Sequence, residues 1–137
     1  MDVIDADGLI VGRLSSIVAK KLLSGENIVI VNADKAIVIG KKENIIQKYK
    51  EKHDRGSIRK GPFFPRMPDR ILKRTVRGML PMKSSHGKIV YKNLMVYIGV
   101  PKEYAESKKT VLKEAKSEKV KGFITLREIS KHLGAKL

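Results

Sequence analysis

Asn27-Ile-Val-Ile-Val-Asn32 decides the fold class. Four consecutive β-branched residues without a polar residue in alternation describe a strand covered on both faces, because a strand with one wet face alternates polar and apolar side chains. Upstream lie a short strand, Asp2-Val-Ile-Asp5, a turn at Asp7-Gly8, and a helix over Gly12–Ser24 with Leu14, Ile17, Val18 and Leu22 on one face, closed by Gly25. Strand, helix and strand at this spacing make a right-handed parallel crossover. Downstream, Ala36-Ile-Val-Ile39 offers a third strand stopped by Gly40, and a second helix runs from about Lys42 to Lys52, buried through Ile45, Ile46 and Tyr49. Met95-Val-Tyr-Ile-Gly-Val100 supplies a fourth strand, ended by Pro101. The last helix opens on a capping box, Thr125-Leu-Arg-Glu128, buries Leu126, Ile129 and Leu133, and stops at Gly134.

The expected architecture is α/β: a three-layer α/β/α single domain over residues 1–137 around a mainly parallel four-stranded sheet. At 137 residues and 42% hydrophobic, the chain is long enough to bury one core. Two segments stand apart from that frame. A basic loop–helix insertion occupies about residues 53–94, with Lys83–Lys88 read as an exposed turn. A lysine-rich extension occupies about residues 103–121, with only Val111, Leu112, Ala115 and Val120 to bury.

Charge sharpens the division. Thirty Lys and Arg against fourteen Asp and Glu give a net +16, yet residues 1–40 carry −1, residues 41–77 carry +9 and residues 78–137 carry +8. The excess centres on Lys60-Gly-Pro-Phe-Phe-Pro-Arg66-Met-Pro-Asp-Arg70-Ile-Leu-Lys-Arg-Thr-Val-Arg77-Gly-Met-Leu-Pro81, a proline-rich loop that leads into an amphipathic helix. Pro68 suits the first helical position, where its missing N–H costs nothing, and Asp69 sits where the helix dipole favours negative charge. Leu72, Val76, Met79 and Leu80 fall on one face at 100° per residue, and Arg70, Lys73, Arg74 and Arg77 on the opposite one. Gly78, as a left-handed cap, or Pro81, as a breaker, ends the helix.

A basic helix face is often plain solvated surface, but solvated faces mix signs. From Arg55 to Ser85 only Asp69 is acidic, against nine Lys and Arg, so like charges repel without an internal partner. An external polyanion relieves that repulsion, and with prolines and phenylalanines just upstream the segment reads as an RNA-docking surface. Anionic membranes attract such charge too, but a membrane-surface helix shows a longer apolar face, and the chain has no Trp. Phe63 and Phe64 have two readings: stacking on unpaired bases, or packing the loop against the domain.

Other chemistries find little support. There is no cysteine, hence no disulfide, thiol catalysis or cysteine-bound zinc. His53, His86 and His132 are scattered without metal-ligand spacing, so no metal is expected. Ser84-Ser85-His86 lacks an orienting acid. Asp7-Gly-Leu-Ile-Val-Gly12-Arg lies where a phosphate loop would sit but matches neither glycine fingerprint, and Gly40-Lys41 lacks the upstream glycine and following hydroxyl. A small nucleotide-using enzyme is therefore disfavoured. No apolar run approaches the length of a membrane span, and the N-terminus lacks the build of a signal peptide.

Taken together, Val3-Ile-Asp-Ala6, Gly12-Arg-Leu14, Ala19-Lys20, Val29-Ile-Val-Asn32-Ala33, Gly61-Pro-Phe-Phe-Pro-Arg66, Arg74-Thr-Val-Arg-Gly-Met-Leu-Pro81 and Val96-Tyr-Ile-Gly-Val-Pro101 resemble the universal large-subunit ribosomal protein L-thirteen family in its archaeal and eukaryotic form. The resemblance covers most of the chain in the right order. It implies an α/β/α domain with a parallel four-stranded sheet and a structural role in the large ribosomal subunit of the cytoplasm, without enzymatic activity. The implied partners are large-subunit rRNA and neighbouring large-subunit proteins, with no membrane, cofactor or small-molecule substrate. The expected rRNA contacts are Arg13, Arg55, Arg59, Lys60, Arg66, Arg70, Lys73, Arg74, Arg77, Lys83, His86, Lys88 and Lys92. A free RNA-binding translational regulator acting off the ribosome is the alternative that shares these charge features.

Overall fold

A computed structural model describes residues 1–116 and 121–137. Its strands are β1 (Asp2–Asp5), β2 (Ile28–Val31), β3 (Ile37–Ile39), β4 (Leu94–Val96), β5 (Lys109–Thr110) and β6 (Phe123–Thr125). Its helices are α1 (Val11–Leu23), α2 (Lys42–Asp54), α3 (Pro68–Arg77), α4 (Ser85–Tyr91) and α5 (Leu126–His132). The main sheet has four strands in the order β4-β2-β1-β5, all parallel, with Val3 beside Val29 and Ile28 beside Leu94.

The apolar run of β2 is buried on both faces, as its lack of alternation requires. Ile28 and Ile30 point with Ile4, Leu94 and Val96 into the main core, which α1, α3 and α5 cover through Leu14, Val18, Leu22, Ile71, Leu72, Val76 and Ile129. Val29 and Val31 point the other way and join Val3 in a small cluster closed by Tyr97 and Tyr104. That second layer is thin, and Tyr104 belongs to a single 3-10 turn, Lys102–Tyr104.

Several elements depart from the expectation. Ala36–Ile39 does not extend the main sheet. At the end of β2, Asn32 adopts a left-handed conformation (φ 57°) and a 3-10 turn at Ala33–Lys35 swings the chain away, so β3 pairs antiparallel with β6 in a separate two-stranded ribbon. The fourth place in the parallel sheet is taken by β5, from the extension read as surface. The same extension sends Ala115 into the core, where its carbonyl accepts from the Ile10 N–H at 2.9 Å. Val111 is exposed rather than buried, and Val120 lies outside the described residues.

The fourth predicted strand shortens to Leu94–Val96, because the chain then curls around the end of β2 and turns at Gly99, φ 67°. Lys83–Lys88 is not a bare turn. Ser84 Oγ accepts from the Gly87 N–H at 3.2 Å and caps α4, and a Cβ on Gly87 would overlap the Pro81 carbonyl, which is why glycine sits in a helix there. On α3, Ile71 joins Leu72 and Val76 as fully buried, whereas Met79, expected on that face, is half-exposed. The regular helix ends at Arg77, and Gly78 keeps right-handed geometry (φ −64°) instead of forming a left-handed cap.

Candidate nucleic-acid interface

Helix α3 is fixed by its inner face. Pro68, Ile71, Leu72 and Val76 are buried, which turns Arg70, Arg74 and Arg77 to solvent and leaves Lys73 at the half-buried margin. The loop before α3 lies along this outer face. Arg70, Lys73, Arg74 and Arg77 line one cleft of about 330 Å³ with Phe63, Pro65 and Tyr91, and the Lys73 ammonium stands 5.2 Å from the Tyr91 ring centre. Arg55 and Arg74 meet in a second cleft of about 340 Å³ with Tyr49, Lys52, Pro62 and Phe64. A third, between α2 and the loop, holds Arg55, Arg66 and His53. Burial holds the Lys52 ammonium below the ordinary lysine pKa, and Lys48 and Arg55 push it the same way.

Arg59 and Lys60 ride on a tight loop, closed by reciprocal backbone bonds between Ser57 and Gly61 at 3.1 and 3.0 Å and by Ser57 Oγ accepting from the Lys60 N–H. Gly56 enters that loop at φ 96°, where a Cβ would overlap the Gly61 carbonyl. Lys83, His86, Lys88 and Lys92 are exposed on or beside α4, and Arg13 is exposed on the first turn of α1. None of these five lines the three clefts.

Two of the expected contacts are partly engaged inside the protein. Arg74 donates from Nη1 to the Phe63 carbonyl at 3.2 Å and lies 5.4 Å over the Phe64 ring. Arg66 donates from Nε to His53 Nε2 at 3.3 Å. Because that arginine nitrogen is only a donor, His53 Nε2 accepts, and its Nδ1–H donates to the Phe64 carbonyl at 3.2 Å. This role of His53 was invisible in the sequence, since its partners lie eleven and thirteen positions away and no motif joins them. Tyr49, which walls one cleft, gave no sequence signal beyond helical burial, and Tyr91, which walls another, gave none.

Among the described residues there are three ion pairs: Asp2 with Lys21, Asp34 with Arg127, and Glu128 with Lys42. None involves a residue from Arg55 to Lys92. The result is a basic α/β domain whose outer helix, with Asp69 its one acidic residue, makes no ion pair among the described residues. The chain belongs to the ribosomal protein family described as Ribosomal protein L13, whose family model matches residues 1–103. It is 54% identical over 135 residues to the large ribosomal subunit protein uL13 of Archaeoglobus fulgidus, covering 96% of this chain and 86% of the relative. The protein of the same name from Picrophilus torridus is 53% identical over 96% of this chain and 95% of its own length. That from Methanosarcina barkeri is 48% identical over 99% of both. These relatives span β5, β6 and α5, which lie beyond the family match.

Proposed function

We propose that this protein is a structural constituent of the large ribosomal subunit in the cytoplasm, where it binds large-subunit rRNA beside neighbouring ribosomal proteins and supports subunit assembly without catalysis. One observation carries the reading: from Arg55 to Lys92 cations crowd the outer surface and none meets an acidic side chain among the described residues. Phosphates relieve that repulsion. Arginine on α3 presents a planar fork that matches a phosphate in two bonds, whereas Lys73 acts as a point charge. The 2′-hydroxyls and phosphates of RNA lie within reach of such side chains without any reading of base sequence. The exposed sets on α3, the Ser57–Gly61 loop and α4 supply the contacts, with Arg66 and Arg74 also holding the loop in place.

The test replaces Arg70, Lys73, Arg74 and Arg77 together by alanine and follows the protein through a sucrose gradient by quantitative mass spectrometry. Wild type co-migrates with large subunits and the variant stays mostly at the top. Normal incorporation of the variant overturns the assignment of this face, and wild type remaining at the top favours a regulator acting off the ribosome.

A further inference from the structure

Phe63 and Phe64 are neighbours in sequence and opposites in use. Phe64 is half-buried, with Tyr49 at 6.0 Å between ring centres and the Arg74 guanidinium and Lys52 ammonium at 5.4 and 5.8 Å from its ring. Its ring is engaged within the protein. Phe63 is 66% exposed, with one ring edge over Gly61, where an added Cβ would stand 3.0 Å from its Cδ2. We propose, resting on the RNA reading above, that Phe63 is a stacking platform for one unpaired nucleobase, received in the cleft that it lines with Pro65, Arg70, Lys73, Arg77 and Tyr91.

An aromatic ring left two-thirds in water has an unsatisfied apolar face, and here it borders a cleft whose charged lining is wholly cationic. A stacking ring and phosphate-binding cations are the two components of a single-strand site. The cleft, about 330 Å³, is at the small end of the usual range of roughly 300–1,000 Å³ for ligand sites, which suits one base rather than a longer segment. A duplex hides its base faces within the stack, and the major groove of A-form RNA is too narrow for side chains, so the ring meets a base only where it is splayed out. Arg70, Lys73 and Arg77 recur along the outer face of α3 and meet the phosphates flanking that base.

The platform is held before RNA arrives. The carbonyl of Phe63 accepts from Arg74 on α3, and that of Phe64 accepts from His53 on α2, itself oriented by Arg66. Fixing both carbonyls lowers the ordering cost that a free loop would incur on binding.

The full chain has no tryptophan, so Phe63→Trp places a unique fluorophore in the cleft. The probes are a short oligouridylate and a blunt RNA duplex of equal phosphate count. The Trp emission is expected to be quenched by the oligouridylate and not by the duplex. Phe63→Ala and Phe63→Leu should each weaken oligouridylate binding about 5- to 150-fold, the loss of one stacked base, with an unchanged salt slope and unchanged duplex affinity. Equal losses on both probes would make Phe63 a loop support, and no loss on either would leave it bare surface; both overturn the platform. Arg70→Ala with Arg77→Ala is the separate control, expected to weaken both probes and flatten the salt dependence. If it changes neither, the phosphate-binding reading fails whatever Phe63 does.

Discussion

Residues 2–40 and residues 53–94 handle charge in opposite ways. In the first region Asp2, Asp5 and Asp34 each have a partner. Asp2 meets Lys21 at 3.2 Å, Asp5 accepts from the Asp7 N–H and the Asn32 amide at 3.0 Å, and the buried Asp34 accepts from the Gly99 N–H at 3.4 Å and faces Arg127 at 3.6 Å. In the second region no ion pair forms among the described residues. The first region completes its electrostatics inside the fold; on the proposed RNA reading, the second completes them against a polyanion.

The largest expected effect attacks the packing that both regions share. Val76 is fully buried in α3, and Val76→Asp places an unpaired charge in the core at a cost on the order of 4 kcal/mol, lowering the Tm of the free protein by ~10 °C or more. Arg70→Ala should stay within about 0.5 kcal/mol. Equal thermal shifts for these two variants would sink the assignment of faces. Arg74→Ala belongs between them, at about 1 kcal/mol, because it removes the bond to the Phe63 carbonyl and the packing on Phe64.

The second effect isolates the cations. Affinity of the wild type for an rRNA fragment should fall by orders of magnitude from low to physiological salt, and alanine at Arg70, Lys73, Arg74 and Arg77 should reduce the log–log slope by roughly 0.7 to 0.9 for each phosphate that is no longer neutralised. The free protein should answer salt with the opposite sign, its Tm rising by a few degrees as like charges are screened, and the quadruple variant should show a flatter rise. A salt-independent Tm in the wild type would mean the repulsion is relieved within the chain.

Smaller effects sharpen the internally satisfied side. Thr125 Oγ1 accepts from the Glu128 N–H at 3.3 Å at the start of α5, so Thr125→Ala should cost about 1 kcal/mol while RNA affinity holds. Lys21→Ala removes a partly exposed ion pair and should shift stability by no more than ~0.5 kcal/mol, read as a barely displaced urea midpoint.

What could be read in advance follows from where the forcing signal lies. The β2 run and the α3 stripe are dictated by burial, and burial is written in side chains, so both were legible. β5 was not, because an edge strand needs only backbone pairing on one side, and Lys109-Thr110 satisfies that with polar side chains that also blunt the exposed edge. β3 showed its strand character but not its partner, which the left-handed turn at Asn32 selects. α4 was hidden because Gly87 answers to the Pro81 backbone rather than to helix propensity. In the site, charge was legible and geometry was not: Phe63 and Phe64 are the same residue twice, told apart only by Tyr49, Lys52 and Arg74, which the fold brings to one of them.

The pairing of β1 with β5 sets an order of events during synthesis. Val3 lies beside Lys109 and Ile4 beside Thr110, partners about a hundred residues apart, so one edge of β1 stays open until Thr110 has left the ribosome that makes it. By then β2, α1, α3 and β4 have all emerged, and the cationic face is complete while the sheet is not. A nascent chain thus carries the cationic helix α3 together with an unpaired apolar strand edge, the feature that invites aggregation. Early capture by RNA would hold such a chain apart from its copies during the interval in which it is most exposed to misassembly.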